Sequence, residues 1–331
     1  MSQSSYQRLV ELGKRRFGEL KELADRLFEH LPSADLAAML FPPALGLDLL
    51  RGALSDEPVD GRGFSVDLPD RGLYTSALDL SQWLSQHYFT TRVEGVENVP
   101  SQGAALIVGN HSAGLMPLDA LFAMGQIREA QGPERFVHPL AHDFAYVGQK
   151  MAVNAQRLGI LRAVKENAAA AFAAGRLVLV YPGGDQEAFR TFKDRGKVVL
   201  AGRKGFVRLA LTAGAPIVPL ASVGLHESFI VLAKGERLAR ALGLKELLRT
   251  EVMPLGLSLP WGLAPAFFPF LPLPTSIEMR YLPPILLEGD PEDPAALEAG
   301  YTKVEASLQA AVDDLSKNRI PWFGRQRPET R

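Results

Sequence analysis

The sequence predicts an α/β fold: a mostly parallel central sheet flanked by helices, with an N-terminal helical extension and a C-terminal helix. Three apolar runs, 104–110, 176–184 and 215–224, indicate buried strands that each end in glycine or a polar turn. Segments with helical spacing lie between these runs, and buried strands that alternate with helices are typical of parallel pairing. A chain of 331 residues has room for two domains or for one large α/β domain with appendages.

The other elements follow from hydrophobic spacing and from turn residues. Helices are predicted at 6–31, 35–52, 76–88, from Pro117 onward, at 206–214, and along the apolar stripe from Leu297 to Leu315. Further strands are predicted at 90–96 and at 276–285. We expect the last of these at the edge of the sheet, because polar residues alternate along it.

These elements divide into three predicted units. Residues 1–72 form the N-terminal helical extension and a connector rich in Pro, Gly and Asp. Residues 73–290 form the main domain, and 291–331 form the C-terminal helix and tail.

Composition excludes several classes of function. The formal net charge of −1 argues against a nucleic-acid partner bound by bulk electrostatics. The chain has no cysteine, so disulfides, thiolate metal sites and a cysteine nucleophile are excluded. The histidines are scattered, and the pair His138 and His142 is a weak ligand set, so we expect neither a metal nor a cofactor. Charged residues throughout the first thirty positions argue against a signal peptide, so we expect a cytoplasmic protein.

An uncharged segment at 252–277 raises the question of membrane contact. Its length would span a bilayer as a helix, but its six prolines would break that helix and leave backbone groups unpaired in hydrocarbon. Two interpretations remain: a Pro-rich loop buried under the core, or an exposed apolar flap that lies on a membrane or lines an acyl channel. The helix at 6–31 likewise either docks on the main domain or rests on lipid headgroups.

The stretch VGNHSAGLMPLD at 108–119 places a histidine at the end of the first buried strand. Loops at the carboxyl ends of parallel strands are where α/β folds carry their sites. Asp119 would lie in a first helical turn, where the helix dipole keeps it ionised and it can accept a hydrogen bond from one imidazole nitrogen of His111. The other nitrogen would then be a base for a substrate hydroxyl. The alternative is structural: Asp119 caps the helix and His111 packs at the strand end.

A second candidate region follows the next strand, in VYPGGDQEAFR at 180–190. Its glycine turn precedes seven basic residues between positions 190 and 208, against a single acid, Asp194. A local excess of positive charge beside a glycine turn suits a phosphate-bearing ligand. The alternative is a solvated charged loop.

Taken together, these blocks resemble the glycerolipid acyltransferase superfamily, which carries Asn-His-x-x-x-x-Asp, a strand ending in Pro-x-Gly, and a later Pro-Ile-Val-Pro strand. The corresponding blocks here are GNHSAGLMPLD, VYPGGDQEAFR and APIVPLASVG, in the same order. The chain is most similar to the branch of the type-2 diacylglycerol acyltransferases and their bacterial relatives, on the strength of GRKGFVRLALTAGAPIVPLASVGLHESF at 202–229. The resemblance covers residues 88–290.

The resemblance implies transfer of a fatty acyl group from acyl-CoA or acyl-carrier protein to a hydroxyl of a glycerolipid or lysophospholipid, within lipid metabolism such as phospholipid biosynthesis. It implies His111 as general base, Asp119 as its orienting partner, and 73–290 as the acyltransferase domain. The substrate-binding residues expected beside this pair are Asn110, Ser112, Tyr181, Pro182, Gly183, Gly184, Glu187, Arg190, Arg203 and Lys204. Arg203 and Lys204 are assigned from charge, as ligands for donor or acceptor phosphates. We expect peripheral association with the inner face of the membrane.

Two departures from the family pattern affect the prediction. Asp119 lies eight residues after His111 rather than five, so the loop must bulge to bring them together, and Asp143 is the alternative partner. The turn reads PGGDQE where enzymes with phosphate-bearing acceptors show Pro-Glu-Gly-Thr-Arg. The missing arginine favours a neutral acceptor, although Arg190 is a candidate substitute. The rival functions are an acyl-CoA thioesterase or lipid hydrolase and a non-catalytic lipid-binding protein.

Overall fold

The computed structural model describes residues 70–112, 114, 118–141, 149–244, 252–258, 262–265 and 272–325. The helices predicted at 6–31 and 35–52, Pro117, His142 and the alternative partner Asp143 lie outside the described residues.

A seven-stranded sheet forms the centre of the protein, in the order β1-β10-β6-β2-β5-β3-β4. Its strands are β1 (Thr90–Glu94), β2 (Ala105–Gly109), β3 (Val137–Ala141), β4 (Leu161–Arg162), β5 (Leu177–Val180), β6 (Ile217–Val223) and β10 (Ser276–Tyr281). All neighbouring strands pair in parallel except β10 and β6, which are antiparallel. The predicted α/β class with a mostly parallel sheet is therefore confirmed.

Helices cover both faces of this sheet. In chain order they are α1 (Arg71–Trp83), α2 (Leu118–Gln131), α3 (Gln149–Arg157), α4 (Lys165–Ala173), α5 (Gly184–Ala188), α6 (Gly205–Ala213), α7 (Leu225–Ser228), α8 (Glu236–Ala241) and α9 (Pro294–Ser316). One apolar cluster joins α1 and α2 to one face, and another joins α4, α6 and α9 to the other. Strand β2 shows the consequence, because Ile107 packs into the first cluster and Leu106 and Val108 into the second. A strand buried on both faces needs apolar residues at every position.

The closing helix forms where the apolar stripe predicts it. The Asp293 carboxylate accepts hydrogen bonds from the backbone N–H groups of Ala295 and Ala296, and Pro294 occupies the first turn of α9. A capping carboxylate followed by proline is a strong helix start, because it satisfies amide groups that have no partner within the helix. The tail beyond α9 adds a short hairpin, β11 (Arg319–Ile320) with β12 (Gly324–Arg325), that the sequence did not predict.

The prediction that the 276–285 strand lies at the sheet edge is wrong. Strand β10 lies between β1 and β6, and Glu278 at its middle is 1% exposed. Arg319 and Arg325 of the hairpin form ion pairs with this carboxylate at 3.0 and 2.5 Å. The polar alternation therefore reflects a buried, neutralised charge, which a pattern rule interprets as solvent exposure.

The described part of the uncharged segment holds two complete strands and the first two residues of β10. Strands β8 (Leu255–Ser258) and β9 (Gly262–Pro265) form an antiparallel sheet with β7 (Ile230–Ala233). Val252 and Gly256 are buried, whereas Leu255, Leu257 and Leu263 are exposed. The described part of this segment is thus a sheet with one buried and one exposed face. Of the helices that the structure describes, none is long and apolar enough to cross a bilayer.

Candidate active site

The candidate site lies where β2, β5 and β6 end. The chain leaves β2 at Gly109 and continues into Asn110, His111 and Ser112. Tyr181 directly follows β5, and Ser222 lies near the end of β6. Because the three strands run in parallel, their carboxyl ends bring these residues to one edge of the sheet.

His111 and Asp119 form a direct pair at this edge. The Nδ1 atom of His111 lies 2.5 Å from Oδ2 of Asp119, so the structure brings the two together despite the long spacing. Gly114 in the connecting loop has a φ of +61°, a conformation that glycine adopts without strain and that helps the loop to turn back. Asp119 also accepts hydrogen bonds from the N–H groups of Ser112 and Ala120 at 3.0 and 2.9 Å.

The His111 ring is held on one side and open on the other. Its side chain is 20% exposed, that of Asp119 is 1% exposed, and no described residue hydrogen-bonds to Nε2 of His111. Burial disfavours the imidazolium, but the charge and hydrogen bond of Asp119, helped by the charge of Glu187, outweigh it and raise the pKa of His111 above its ordinary value. A carboxylate on Nδ1 fixes the tautomer, so the proton lies on Nδ1 and the lone pair on Nε2.

Asn110 fixes the loop to the neighbouring strand. Its side-chain amide donates to the carbonyl of Ser222 at 2.9 Å and accepts from the N–H of Ser222 at 2.7 Å. Its Nδ2 also lies 3.3 Å from Oγ of Ser112. Asn110 and Ser112 are buried, and their described contacts are with the chain itself.

Tyr181 packs against the base. Its ring stacks on the His111 ring with centroids 5.0 Å apart and planes 24° apart. Gly109 makes this possible, because a Cβ atom at that position would lie 2.4 Å from the tyrosine ring. Burial, and then the nearby acidic charges, raise the pKa of the Tyr181 hydroxyl well above its ordinary value, so that the phenol stays neutral.

Glu187 and Arg190 form a buried ion pair behind His111. The two side chains are 0% and 1% exposed, and Nη1 of Arg190 lies 3.3 Å from Oε1 of Glu187. Glu187 accepts from the N–H groups of His111 and Val199, both at 2.9 Å. Nη1 of Arg190 also donates to the carbonyl of His111 at 2.9 Å. This pair therefore holds the backbone of His111 through hydrogen bonds to both its N–H and its C=O group.

The Pro182-Gly183-Gly184 turn packs tightly against this pair and against Arg203. A Cβ atom at Gly183 would lie 2.1 Å from the carbonyl of Val199, and Gly184 has a φ of +53°. Nη1 of Arg203 donates to the carbonyl of Pro182 at 3.0 Å. Both glycines are therefore required by packing or conformation.

Arg203 and Lys204, the two cations predicted from charge to bind phosphate, have different surroundings in the structure. Nη2 of Arg203 lies 3.3 Å from Oδ1 of Asp185, and its side chain is 48% exposed. Lys204 forms its ion pair with Glu298 of α9, which belongs to the helix layer on one face of the sheet. Arg203 is therefore beside the turn, whereas Lys204 is directed to α9.

Sequence reasoning missed three participants. Gly109 supplies the space for Tyr181, and Ser222 supplies the backbone groups for Asn110. His226 in α7 is buried at 5% exposure, and burial followed by the charges of Arg190, His111 and Arg195 lowers its pKa well below 6.5. The glycine that ends an apolar strand was a sequence signal for Gly109. His226 lies in LHES, directly after the third predicted strand, but no sequence pattern gave it a role.

The arrangement is suited to moving a proton at Nε2 of His111. A carboxylate-oriented imidazole with one free nitrogen is the constellation of a general base. Within the described ranges there is no cluster of three or more potential metal ligands, and Nδ1 of His138 is bonded to the carbonyl of Gly159.

Three similarities to known proteins accompany this geometry. An uncharacterized protein of Mycobacterium tuberculosis is 32% identical over 248 residues, which is 74% of this chain and 66% of the relative. The chain thus spans just under two thirds of the length of that relative. A chicken (Gallus gallus) protein named "DGAT1/2-independent enzyme synthesizing storage lipids" is 32% identical over 49% of this chain and 46% of its own. The crystal structure of a 1-acyl-sn-glycerophosphate acyltransferase from Thermotoga maritima aligns with a TM-score of 0.47 and 16% identity, covering 85% of this chain and 93% of that one.

The family assignment rests on residues 63–280, which match the family model described as "Diacylglycerol acyltransferase". This range is more than half of the chain, and it contains His111, Asp119 and the Pro182–Arg190 turn. The chain belongs to the diacylglycerol acyltransferase family.

Proposed function

We propose that the chain is an O-acyltransferase that moves a fatty acyl group from acyl-CoA or acyl-carrier protein to a hydroxyl of a glycerolipid or lysophospholipid. The observation that carries the proposal is the buried Asp119 carboxylate on Nδ1 of a His111 ring whose Nε2 accepts no hydrogen bond from a described residue. Family membership supports the reaction class.

In the proposed reaction His111 is the general base. Nε2 takes the proton of the acceptor hydroxyl as its oxygen attacks the thioester carbonyl, so that a C–O bond forms. The carbon–sulfur bond then breaks, and the imidazolium returns its proton to the leaving thiolate. Asp119 stabilises the imidazolium between these two steps, because its carboxylate is buried against Nδ1.

Glu187 and Arg190 act, in this proposal, as positioning residues rather than as substrate ligands. Both are buried, and both hold the backbone of His111. Arg190 is therefore a poor substitute for the family's phosphate-binding arginine. Arg203 at the edge of the turn remains the proposed cation for a donor or acceptor phosphate, since nearly half of its side chain is exposed.

For the acceptor we favour a neutral glycerolipid, such as mono- or diacylglycerol. Against the Pro-Glu-Gly-Thr-Arg pattern of enzymes with phosphate-bearing acceptors, Asp185 stands at the threonine position and Gln186 at the arginine position. The cation is therefore absent there, and the Asp185 carboxylate repels a phosphate. The chicken relative, which by its name synthesises storage lipids, agrees with this choice. We further propose that the protein acts on the cytoplasmic surface of the membrane, where both substrates meet.

The same base serves a thioesterase that gives the acyl group to water, so acceptor dependence is the decisive measurement. Release of free CoA thiol from a long-chain acyl-CoA is followed without acceptor and with lysophosphatidic acid, monoacylglycerol, diacylglycerol or a fatty alcohol. The proteins are wild type, His111→Ala and, as a matched control, His87→Ala at an exposed histidine. We expect release that needs one acceptor and falls about 10²–10⁴-fold in His111→Ala alone.

Each other outcome rejects part of the proposal. Release without any acceptor would indicate a thioesterase, and equal rates in the two histidine variants would remove His111 from the mechanism. If no acceptor supports release from acyl-CoA, the same set is repeated with an acyl-carrier protein donor. If no acceptor supports acyl transfer from that donor either, the result would favour a lipid-binding protein.

A further inference from the structure

Leucines on the outer face of the small sheet are exposed to solvent. Leu257 of β8 and Leu263 of β9 lie directly opposite each other and are 45% and 60% exposed. Leu255, two residues before Leu257 and on the same face, is 38% exposed. Leu232 of β7, at the irregularity between Val231 and Ala233, is 53% exposed. We call these four leucines the leucine surface.

Helix α8 adds apolar and basic residues beside this sheet. The N–H of Met253 donates to the carbonyl of Lys234, which ties the start of α8 to the strand β8. Leu238 and Leu242 lie one helical turn apart and are 50% and 46% exposed, whereas Ala239 between them is buried. The helix therefore turns an apolar stripe outward.

The charge at this corner is positive. Lys234, Arg237 and Arg240 stand against one acid, Glu236, between positions 230 and 244, and residues 252–265 carry no charge. Arg237 and Arg240 are exposed, and none of the three cations pairs with a carboxylate of the described chain. Apolar side chains rimmed by unpaired Lys and Arg are typical of a surface that binds anionic membranes.

The buried face of the β7-β8-β9 sheet packs toward the loop between His111 and Asp119. A Cβ atom at Gly256 of β8 would lie 2.4 Å from the ring of Phe229, which belongs to a buried cluster with Phe189, Val231 and Val252. Phe229 also lies beside Gly114 in the loop between His111 and Asp119, 3.3 Å from where a Cβ would stand. One layer of side chains thus separates the leucine surface from the His111 loop.

We propose that the leucine surface and the basic residues of α8 form the docking surface for a bilayer that contains anionic lipid. A second copy of the chain is disfavoured as the occupant, because a symmetric contact would bring two clusters of the same positive charge into one interface. The proposal deepens the proposed function, since it names the membrane contact that would deliver a lipid acceptor to His111. Binding itself requires no catalysis.

The test is flotation of the full-length protein with phosphatidylcholine vesicles and with vesicles that also contain phosphatidylglycerol. We expect binding to the anionic vesicles, reduced by at least about tenfold in Leu257→Asp/Leu263→Asp. Arg237→Gln/Arg240→Gln should lose about fivefold for each charge removed, and on anionic vesicles only. The matched controls are Leu286→Asp, 60% exposed outside this surface, and Arg92→Gln/Lys165→Gln at exposed positions.

A second readout avoids variants that put charge into the sheet. The chain has no cysteine, so Leu263→Cys or Leu286→Cys carries an environment-sensitive fluorophore at one position. We expect the label at 263 to brighten on anionic vesicles and to be quenched from within the bilayer, with no change at 286. In flotation, the proposal is overturned if the protein binds no vesicles or if both the leucine and the arginine variants float as wild type does. In the fluorescence experiment, it is overturned if the labels at 263 and 286 give equal signals, or if a concentration-dependent dimer buries the label without lipid. An inactive protein that passes these tests would reject the acyltransferase function and leave the docking surface standing.

Discussion

His111 and Asp119 are hydrogen-bonded through Nδ1 and Oδ2 at 2.5 Å, although eight residues separate them along the chain. The pair closes a loop whose ends are both fixed. Asn110 ties one end to β6, and α2 begins immediately before Asp119 at the other. The orientation of the imidazole is therefore set by the fold.

Asp119→Asn tests whether this carboxylate sets the protonation of the base. Asp119 raises the pKa of His111, so a protonated, inactive imidazole persists to higher pH than in a free histidine. Activity should therefore rise with pH through the raised pKa. In the asparagine variant the ascending limb of kcat/KM should move to lower pH, and kcat should fall on the order of 10²–10⁴-fold. Steady-state kinetics from pH 5 to 9 give both the position of the limb and kcat. If the limb does not move, Asp119 does not set the pKa of His111.

Gly109→Ala tests the packing of Tyr181 on the base. The new Cβ would lie 2.4 Å from the tyrosine ring, so the ring must leave its stack with His111. We expect a loss of about 1–3 kcal/mol in the free energy of unfolding, together with lower turnover. Gly205→Ala is the matched control, because a Cβ there meets no atom within 4 Å.

The double variant Gly109→Ala/Tyr181→Ala distinguishes this steric cause from a general weakness of β2. Removing the ring removes the clash, so the alanine at 109 should cost less in that background than in wild type. Urea denaturation of the four proteins gives the coupling energy. Equal costs in both backgrounds would show that Gly109 acts through some other contact.

The class of fold was predictable from sequence because it depends on local signals, and the His111–Asp119 pair was one of two interpretations of a local pattern, favoured by the resemblance of the other blocks. Apolar runs such as 104–110 are buried whichever strands flank them, and a histidine at a strand end followed by a helical aspartate is a short-range pattern. The roles of Glu187 and Arg190 were not predictable. A charged pair beside a glycine turn suggests a ligand site, and only the fold reveals that both side chains are buried against the backbone of His111.

The position of β10 could not be predicted for a related reason. Glu278 makes the strand look solvent-exposed, but its partners Arg319 and Arg325 come from a hairpin more than 40 residues later in the chain. The small sheet was not predicted because six prolines and two glycines interrupt 252–277, and such residues normally argue against a strand. Two kinds of feature therefore could not be predicted from sequence patterns: charge pairs between distant residues, and short strands that depend on tertiary contacts.

Arg319→Met tests the buried network that fixes the C-terminal hairpin. The guanidinium is 5% exposed and pairs with Glu227 at 2.8 Å and with Glu278 at 3.0 Å, both of them buried. Removing the cation leaves Glu227 without an ion-pair partner among the described residues and Glu278 with Arg325 alone, and a buried charge that loses its partner typically costs about 3–5 kcal/mol. Arg71→Met, whose ion pair with Glu134 is largely exposed, should cost at most about 1 kcal/mol. Comparable losses in the two variants, measured by urea denaturation, would contradict a special role for Arg319.

His226→Gln tests the pH dependence of stability. Burial, and then the charges of Arg190, His111 and Arg195, lower the pKa of His226 well below 6.5 in the folded protein. The unfolded chain therefore binds a proton below about pH 6.5 that the folded protein does not, and stability falls as the pH decreases. A glutamine cannot titrate, so at pH 5.5 the variant should gain at most about 1.4 kcal/mol on wild type relative to their difference at pH 8. Urea denaturation at both pH values measures this change, and a difference that is independent of pH would show that His226 carries the same charge in both states.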